Sequence, residues 1–394
     1  MLRSLFSGIS GLRAHQTMLD VTGNNIANVN TTGFKSSSTQ FQDTLSQVLS
    51  NAGAAQTGVG GTNPAQVGLG VRVAGITTNF AQGAAQLTNN STDMMISGDG
   101  FFVVSKGGQD FYSRAGAFSR DASGQLVTTD GALVQGWEAV GGVIDTNAPL
   151  ADLRLTNAAT MAAKATTNAS FEGNLPSDAV TGATLNKQIT VYDSVGNARQ
   201  LALNFDKTAT GWTVSGTDGT AGTLAATPLV FDASGVLTSP LSVSVGTNPV
   251  AVNLSTITGM AGLDTVQSKV QDGQQAGTLQ SFTLNADGSL MGAFSNGMKQ
   301  VVGQIALATF NNPVGLEKSG ASLYRTTVNS GAAQVGTAGS GGRGSLIGGS
   351  LEMSNVDLSA EFTNLIVAQR GFQANARVIT TSDQVLQELV DLKR

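Results

Sequence analysis

Apolar residues recur at alternating steps of four and three positions along the C-terminal stretch 358–393. The series is Leu358, Phe362, Leu365, Phe372, Ala376, Ile379, Leu386 and Val390, and the polar residues Gln369 and Asp383 occupy two further positions. The stretch contains no proline, and Gly371 is its only glycine. This heptad spacing predicts a long helix that buries one seam against other helices. At ~1.5 Å per residue, such a helix would be about 50 Å long.

The N-terminal stretch 1–28 repeats this spacing with Leu5, Ile9, Leu12, Gln16 and Leu19. A second stripe of small residues mostly shares one side, and it consists of Ser4, Gly8, Gly11 and Ala14 or His15. Each glycine inside a helix costs about 1 kcal/mol relative to alanine. We therefore predict a helix that is stable only beside a neighbour, which the small residues allow to approach closely. The alternative is an ordinary amphipathic helix on a globular core.

The chain between these two ends has a different texture. Residues 35–90 are rich in serine, glutamine, asparagine and glycine, which predicts an extended or partly helical connector. Within it, one short helix is predicted around Phe41, Leu45, Val48 and Leu49. From Met94 onward, short apolar runs between turn residues predict β-strands.

One turn pattern occurs three times in the β-rich region. It reads Asp-Ala-Ser-Gly from Asp121 and again from Asp232, and Asn-Ala-Asp-Gly from Asn285. An acidic or amide residue three positions before glycine is typical of a hairpin turn. A calcium loop is the alternative, but each copy has too few carboxylates for about six oxygen ligands.

The order of these segments predicts a multidomain α+β fold. Long N- and C-terminal helices would form a coiled-coil-like inner domain, with two mainly antiparallel β domains nested between them. A glycine-rich tether at 330–349 would precede the last helix. The predicted parts are a terminal helical domain (1–34 and 354–394), a connector (35–90), a middle β domain (91–145 and 271–353) and an inserted outer β domain (146–270).

Composition limits the chemistry that the chain can carry. Charged residues are 12% of the 394 residues and the net charge is −5, which argues against a nucleic-acid partner. There is no cysteine, and His15 is the only histidine, so we predict no metal site, no cofactor and no catalytic residue. A polysaccharide hydrolase would need a carboxylate pair beside aromatic platforms, but aromatic residues are only 5%. We therefore expect a protein that is not an enzyme and that uses His15 for packing.

The sequence also lacks the apolar runs that are typical of membrane spans and signal peptides. No window approaches the roughly 18 apolar residues of a membrane span. The first residues lack the apolar core of a signal peptide. We therefore expect a soluble protein, made without a cleaved signal peptide and not inserted into a membrane.

Several motifs resemble the bacterial flagellar basal body rod and hook family. At the N-terminus they are Ser7-Gly8-Ile9-Ser10-Gly11-Leu12 and the run 24–35. In the middle they are Gly98-Asp99-Gly100-Phe101-Phe102, 112–116 and 294–297, and near the C-terminus 354–358, 366–375 and 378–383. Rod subunits of that family are shorter and lack a large insertion, so the chain resembles hook subunits most. Two further motifs, 173–176 and 191–197, resemble the outer domain of hook subunits.

This resemblance implies a structural subunit of the flagellar hook, which self-assembles into a curved helical tube and couples the rod to the filament as a universal joint. It implies a homopolymer that also meets rod proteins, hook–filament junction proteins, a hook cap and the type III export gate. The expected location is extracellular, in the flagellum, after export without cleavage. The expected subunit-packing residues are Leu5, Ile9, Leu12, Leu19, Leu358, Phe362, Leu365, Phe372, Ile379 and Leu386.

Phe41 and Leu45 belong to a short element, Phe41-Gln42-Asp43-Thr44-Leu45. It resembles the aromatic-then-aliphatic element proposed for recognition at the export gate, and a packing turn is the alternative. For the whole chain, the alternatives are a distal rod subunit and a secreted β-rich adhesin or fibre protein. An adhesin would not need heptad stripes at both ends.

Overall fold

The computed structural model describes residues 2–54, 57–58, 60–155, 160–219, 222–246 and 249–391. The chain divides into two units. Unit 1 comprises Met1–Leu155, Thr283–Met291 and Val301–Arg394, and unit 2 comprises Thr156–Phe282 and Gly292–Gln300. The predicted α+β composition is confirmed, with a helix near each end and a large β-rich body between them. The four-part division predicted from the sequence is finer than these two units and stays a prediction.

Two long helices lie near the ends of the chain, as the heptad spacing predicted. Helix α1 is Leu2–Ala27 and helix α2 is Leu358–Asp391, while residues 392 and 393 of the predicted helix lie outside the described part. Asp357 caps α2, because its Oδ1 accepts hydrogen bonds from the backbone N–H groups of Ser359 at 2.9 Å and Ala360 at 3.2 Å. Neither helix of the described chain is apolar over a length that would cross a bilayer.

The segment that follows α1 is built from strands. These are β1 Ser37–Asp43, β2 Ser46–Ser50, β3 Ala65–Gly68, β4 Val71–Thr78 and β5 Ala85–Leu87. Strand β1 pairs antiparallel with β4, and β2 pairs antiparallel with β3. The prediction of a short helix around Phe41, Leu45, Val48 and Leu49 is therefore wrong. Pairing with partners further along the chain decides the conformation, 32 residues away for Phe41 and 18 for Val48, and local spacing could not reveal it.

The β body of unit 1 begins with eight further strands. They are β6 Met94–Ser97, β7 Phe101–Lys106, β8 Gln109–Ser113, β9 Phe118–Arg120, β10 Leu126–Thr128, β11 Leu133–Val140, β12 Val143–Ile144 and β13 Ala151–Asp152. Strand β7 pairs antiparallel with β8 and with β11. Phe101, Tyr112 and Trp137 from these strands are buried in one aromatic core.

Unit 2 contains two sheets that share one core. The strands of its first segment are β14 Thr160–Met161, β15 Asn168–Asn174, β16 Thr184–Tyr192, β17 Ala198–Thr208, β18 Gly211–Asp218, β19 Thr223–Phe231, β20 Leu237–Ser239, β21 Ser242–Val245, β22 Val250–Thr258, β23 Gln267–Gln271 and, as far as Phe282, β24 Gly277–Leu284. One sheet has the order β16-β17-β18-β19-β20 and the other β21-β22-β15-β23. Phe171 of β15 and Phe205 of β17 are both fully buried in the shared core.

The last strands lead the chain back to α2. They are β25 Ser289–Phe294, β26 Lys299–Ile305, β27 Leu307–Thr309, β28 Glu317–Gly320, β29 Leu323–Arg325, β30 Gln334–Gly336, β31 Ser345–Gly348 and β32 Ser350–Glu352, with a 3₁₀ turn at Pro313–Gly315. Strand β31 pairs with β6 and β32 pairs with β5. The stretch 330–349, predicted as a glycine-rich tether before α2, thus contains paired strands, because β30 pairs with β27 and β31 with β6. Its glycines allow close backbone contacts, as at Gly344, whose N–H bonds to the carbonyl of Asp99.

The three repeated turns have the predicted hairpin chemistry. Asp121 Oδ1 accepts the backbone N–H groups of Ser123 and Gln125, and Asp232 Oδ1 accepts the equivalent pair two and four residues further on. The glycine of each turn has a positive φ of 76° to 83°, a conformation that glycine adopts without strain. These carboxylates therefore serve to close the turns.

Candidate subunit interface

The two terminal helices pack against each other through the small-residue stripe of α1. Gly8, Gly11 and Ala14 are all buried. A methyl group on Gly11 would lie 2.8 Å from the side-chain amide of Asn375, and one on Gly8 would lie 3.4 Å from Ile379. The predicted close approach to a neighbouring helix is confirmed, and the neighbour within the chain is α2.

The glycine of α2 lies opposite the only histidine. A methyl group on Gly371 would lie 2.5 Å from the His15 ring, so glycine leaves the space that the imidazole fills. His15 also contacts Phe41, with ring centroids 5.9 Å apart. His15 is therefore a packing residue in this fold, as its position on the helix predicted.

Hydrogen bonds join the two helices where the C-terminal end of α1 lies beside the N-terminal end of α2. The Asn25 side chain, which is almost fully buried, donates from Nδ2 to Glu361 Oε1 at 2.9 Å and to the Ser37 carbonyl at 2.8 Å. Its Oδ1 accepts the Ser37 N–H at 3.0 Å. One asparagine thus connects α1, α2 and the start of β1, which fixes the register of the pair.

The ten predicted packing residues lie mostly beside this contact face. Leu358, Phe362 and Leu386 are exposed. The other seven are half-buried, and they are Leu5, Ile9, Leu12, Leu19, Leu365, Phe372 and Ile379. More large apolar side chains of the two helices are exposed, namely Phe6, Ile366, Val367, Val378, Val385 and Val390. The helix pair therefore buries its small residues internally and presents its large apolar residues outward.

A buried ionic cluster joins the helix pair to the β body. Lys35 and Glu352 have fully buried side chains, and Lys35 Nζ lies 2.6 Å from Glu352 Oε1. Arg114, which is also buried, has Nη1 3.6 Å from Glu352 Oε2. Lys35 Nζ also donates to the Ala81 carbonyl at 2.8 Å, and the Gly83 N–H donates to Glu352 Oε1 at 2.9 Å.

The charged groups of this cluster are shielded from solvent. Burial lowers the pKa of Lys35, and the hydrogen bond that Lys35 donates to Glu352 offsets part of that effect. Burial likewise lowers the pKa of Arg114, whose guanidinium lies 5.3 Å from the Phe101 ring centroid. Lys35 follows α1 by eight positions and Glu352 precedes α2 by six, so the cluster holds both connections to the helix pair.

Sequence reasoning missed the role of this cluster. Lys35 and Arg114 belong to motifs that carry the family resemblance, but their positions gave no sign that they meet. The sequence did contain one signal for such a cluster. Charged residues are only 12% of this chain, so each of them is a stronger candidate for a specific structural role. Pairing across more than 300 residues, as for Lys35 and Glu352, is visible only in the folded chain.

The two residues of the export-like element lie at the end of strand β1. Phe41 belongs to β1 and Leu45 follows it, and both side chains are exposed. Among the described residues, no group of three or more histidine, cysteine, aspartate or glutamate side chains could hold a metal ion.

Comparison with known proteins places this helix pair and β body in a family. The chain matches the flagella basal body rod protein family at residues 5–35, the flagellar hook protein FlgE/F/G D1 domain at 95–220 and the flagellar basal body rod FlgEFG protein C-terminal family at 347–392. It is 40% identical to the flagellar hook protein FlgE of Borreliella burgdorferi, with 100% of both chains covered. The chain belongs to the flagellar hook protein FlgE/FlgG family.

Two further full-length relatives agree with this assignment. The flagellar hook protein FlgE of Salmonella typhimurium is 40% identical over 99% of this chain and 100% of its own. The flagellar basal-body rod protein FlgG of Bacillus subtilis is 34% identical over 100% of both. A crystal structure of Helicobacter pylori FlgE2 has a TM-score of 0.49 and 15% identity, and it covers 66% of this chain and 98% of that one. The full-length matches to named hook proteins support a hook subunit, in a family whose members are structural flagellar proteins.

Proposed function

We propose that this chain polymerises into the curved tube of the flagellar hook through its terminal helices. The proposal rests on the large apolar side chains that the helix pair leaves exposed to solvent. Phe362 of α2 is 52% exposed and Phe6 of α1 is 65% exposed, although both lie on helices that are already paired. Exposed apolar side chains that line a continuous helix face are typical of a protein–protein interface. Copies of the same chain carry the matching heptad stripes.

We propose a layered subunit for this polymer. The terminal segments 1–34 and 354–394 would form a coiled-coil-like inner wall, and 35–90 would connect it to the β domains. The middle β domain, 91–145 with 271–353, and the outer β domain, 146–270, would then lie at increasing radius. The ionic cluster supports this scheme, since it fixes both connections of the helix pair to the β body of unit 1.

When the tube bends, subunits would keep one kind of contact in the inner wall and another kind between their β domains. Apolar helix faces would hold the inner wall, because burial of large side chains is worth about 25 cal/mol per Å². The β domains carry few charges, and their contacts with neighbouring copies would be weak and replaceable. The glycine-rich stretch 330–349 and the connector 35–90 both contain paired strands, so hinges in these two segments would lie in the turns between their strands.

Polymerisation of paired variants tests the proposal. Phe362→Asp with Ile366→Asp places two charges on the exposed face of α2, and we expect no tubes by electron microscopy. Val328→Asp, at a fully exposed valine of the β body, is the matched control and should polymerise normally. Circular dichroism should show folded protein in all cases. Normal tubes from the double variant would contradict the proposal.

The partners and the route to the flagellum also belong to this proposal. The subunit would join a homopolymer and meet rod proteins, hook–filament junction proteins, a hook cap and the type III export gate. It would reach an extracellular position without a cleaved signal peptide. The export gate would recognise Phe41 and Leu45, and the exposure of both side chains supports that role.

A distal rod subunit is the second candidate function. It is favoured by the 34% identity to a basal-body rod protein over both full lengths. The two functions differ in the shape of the polymer. Curved tubes from the purified protein would support the hook subunit, and short straight tubes would support the rod subunit.

A further inference from the structure

The chain passes from α1 into the β body of unit 1 through residues 34–37, which we call the junction segment. Strand β1 begins at Ser37, so residues 34–36 lie outside any regular element. Backbone N–H and carbonyl groups that are shielded from water need hydrogen-bond partners. In the junction segment, two of these partners are side chains that lie 283 and 319 residues away along the chain.

Asn355 lies on the second connection of the helix pair, between β32 and α2. Its Oδ1 accepts the Ser36 N–H at 2.8 Å, and its Nδ2 donates to the carbonyl of Asn79 at 2.8 Å and to that of Ala81 at 3.0 Å. The two connections therefore bond to each other and to the segment that follows β4. The amide uses both donors and its acceptor, so no side chain without an amide could make all three bonds.

Lys318 reaches the junction segment from strand β28 of the β body. Its Nζ donates to the Lys35 carbonyl at 3.3 Å and to Ser37 Oγ at 2.9 Å. It also lies 5.2 Å from the centroid of the Phe34 ring, whose face attracts a cation. One lysine thus contacts three of the four residues of the segment.

These contacts form a continuous path of hydrogen bonds from the helix pair to the β body. Asn25 of α1 holds the backbone of Ser37, and Lys318 of β28 holds the side chain of the same serine. Asn355 joins the entry to α2 to the same segment. The helix pair can tilt against the β body only if several of these bonds break together.

We propose that Asn355 and Lys318 are positioning residues that set the angle between the helix pair and the β body of unit 1. They act on the backbone of the junction segment, whereas the ionic cluster acts through charged side chains. The inference rests on the proposed polymer. In that polymer, the angle within each subunit would fix how the inner wall joins the surrounding β bodies, and thereby the curvature and pitch of the tube.

Distances between two spin labels test the angle in the unassembled chain. Because the chain has no cysteine, Gln373→Cys on α2 and Val328→Cys on the β body place labels at two exposed positions. Pulsed electron paramagnetic resonance should give one narrow distance distribution. Asn355→Ala with Lys318→Met, the junction variant, should broaden it by about twofold or more, because backbone groups of the junction segment lose their partners.

A matched control removes the same two types of side chain elsewhere in unit 1. In Asn312→Ala with Lys106→Met, the lost contacts are a hydrogen bond to the Asn329 carbonyl and an exposed ion pair with Asp130. Neither contact involves the junction segment, so this protein should keep the narrow distribution. A narrow distribution in the junction variant, or equal broadening in the control, would overturn the inference.

Tryptophan fluorescence separates a change of angle from a loss of fold. Trp137 is buried in the aromatic core of the β body, and a native signal from it shows that this core is intact. If the junction variant does not fold, Lys318→Met alone, at an exposed position, decides the question. Broadening with a native Trp137 signal would support the inference, and native width would overturn it.

Electron microscopy of the polymer gives a second readout. We expect tubes of altered curvature or pitch from the junction variant and tubes of native shape from the control. Native-shaped tubes from the junction variant would overturn the inference and leave the proposed polymer intact. Failure of the unmodified protein to polymerise would overturn the proposed function, while the spin-label distances would still decide whether Asn355 and Lys318 set the angle.

Discussion

Glu352→Gln should be one of the most destabilising single changes in unit 1. The substitution keeps the shape of the side chain but removes the charge that faces Lys35 Nζ at 2.6 Å and Arg114 Nη1 at 3.6 Å. Two buried cations are then left without their carboxylate, which costs about 3–5 kcal/mol. For a unit of this size, we expect the melting temperature to fall by roughly 6–20 °C.

The two tryptophans of the chain allow the measurement to be made on unit 1 alone. Trp137 is buried in unit 1 and Trp212 is buried in unit 2. In a Trp212→Phe background, tryptophan fluorescence during urea unfolding reports unit 1. Because burial lowers the pKa of Lys35 in the folded state, the unfolded chain binds more protons in the window just below 10.5. Stability should therefore rise with pH in that window, and more steeply in Glu352→Gln.

An exposed ion pair provides the matched control. Glu317 Oε2 lies 2.8 Å from Arg325 Nη2, and both side chains are more than half exposed. Exposed pairs contribute only about 0–1 kcal/mol, so Glu317→Gln should change little. In the double variant Lys35→Met with Glu352→Gln, one of the stranded cations is gone, and the loss should be smaller than the sum of the single losses. Equal effects of Glu352→Gln and Glu317→Gln would refute the assignment of the cluster as a structural junction.

Three further predictions concern other parts of the molecule. Gly11→Ala should destabilise unit 1 by about 1–3 kcal/mol, because the new methyl group would contact Asn375. A methyl group at Gly23 would have no neighbour within 4 Å, so Gly23→Ala should stabilise α1 by about 1 kcal/mol. Urea unfolding of unit 1 should show these two opposite changes in the free energy of unfolding. Burial raises the pKa of Asp272, but hydrogen bonds from Thr167 and Asn168 outweigh it and lower the pKa far below its usual 3.8. The stability of unit 2 should therefore fall as the pH drops below 3.8, and Asp272→Asn, followed through Trp212 in a Trp137→Phe background, should weaken that dependence. Phe41→Ala with Leu45→Ala should lower the amount of subunit in the culture medium, and Val48→Ala with Leu49→Ala, at neighbouring exposed positions, should not.

Local pattern explains why the helices and turns could be predicted. Heptad spacing without proline is enough to specify α1 and α2 to within a residue or two of their observed bounds. The aspartates of the repeated turns act on N–H groups two and four residues away, so their chemistry is contained in a short stretch of sequence. The same holds for Asp357, which caps α2.

Long-range contacts explain what could not be predicted. The segment around Phe41 became a strand because its backbone pairs with β4, and nothing in its own spacing specifies that partner. Within the stretch 330–349, β30 pairs with β27 and β31 pairs with β6, although the glycines of this stretch alone suggest freedom.

Periodicity in the sequence is enough to predict a helix with a stripe of large apolar residues at each end of the chain, and a stripe of small residues on the N-terminal helix. The folded chain adds that α2 covers the small stripe of α1, that large apolar residues of both helices stay exposed, and that Lys35, Arg114 and Glu352 meet in one buried cluster. Periodicity specifies which residues share a face of a helix, whereas the neighbour of that face depends on close packing between segments hundreds of residues apart.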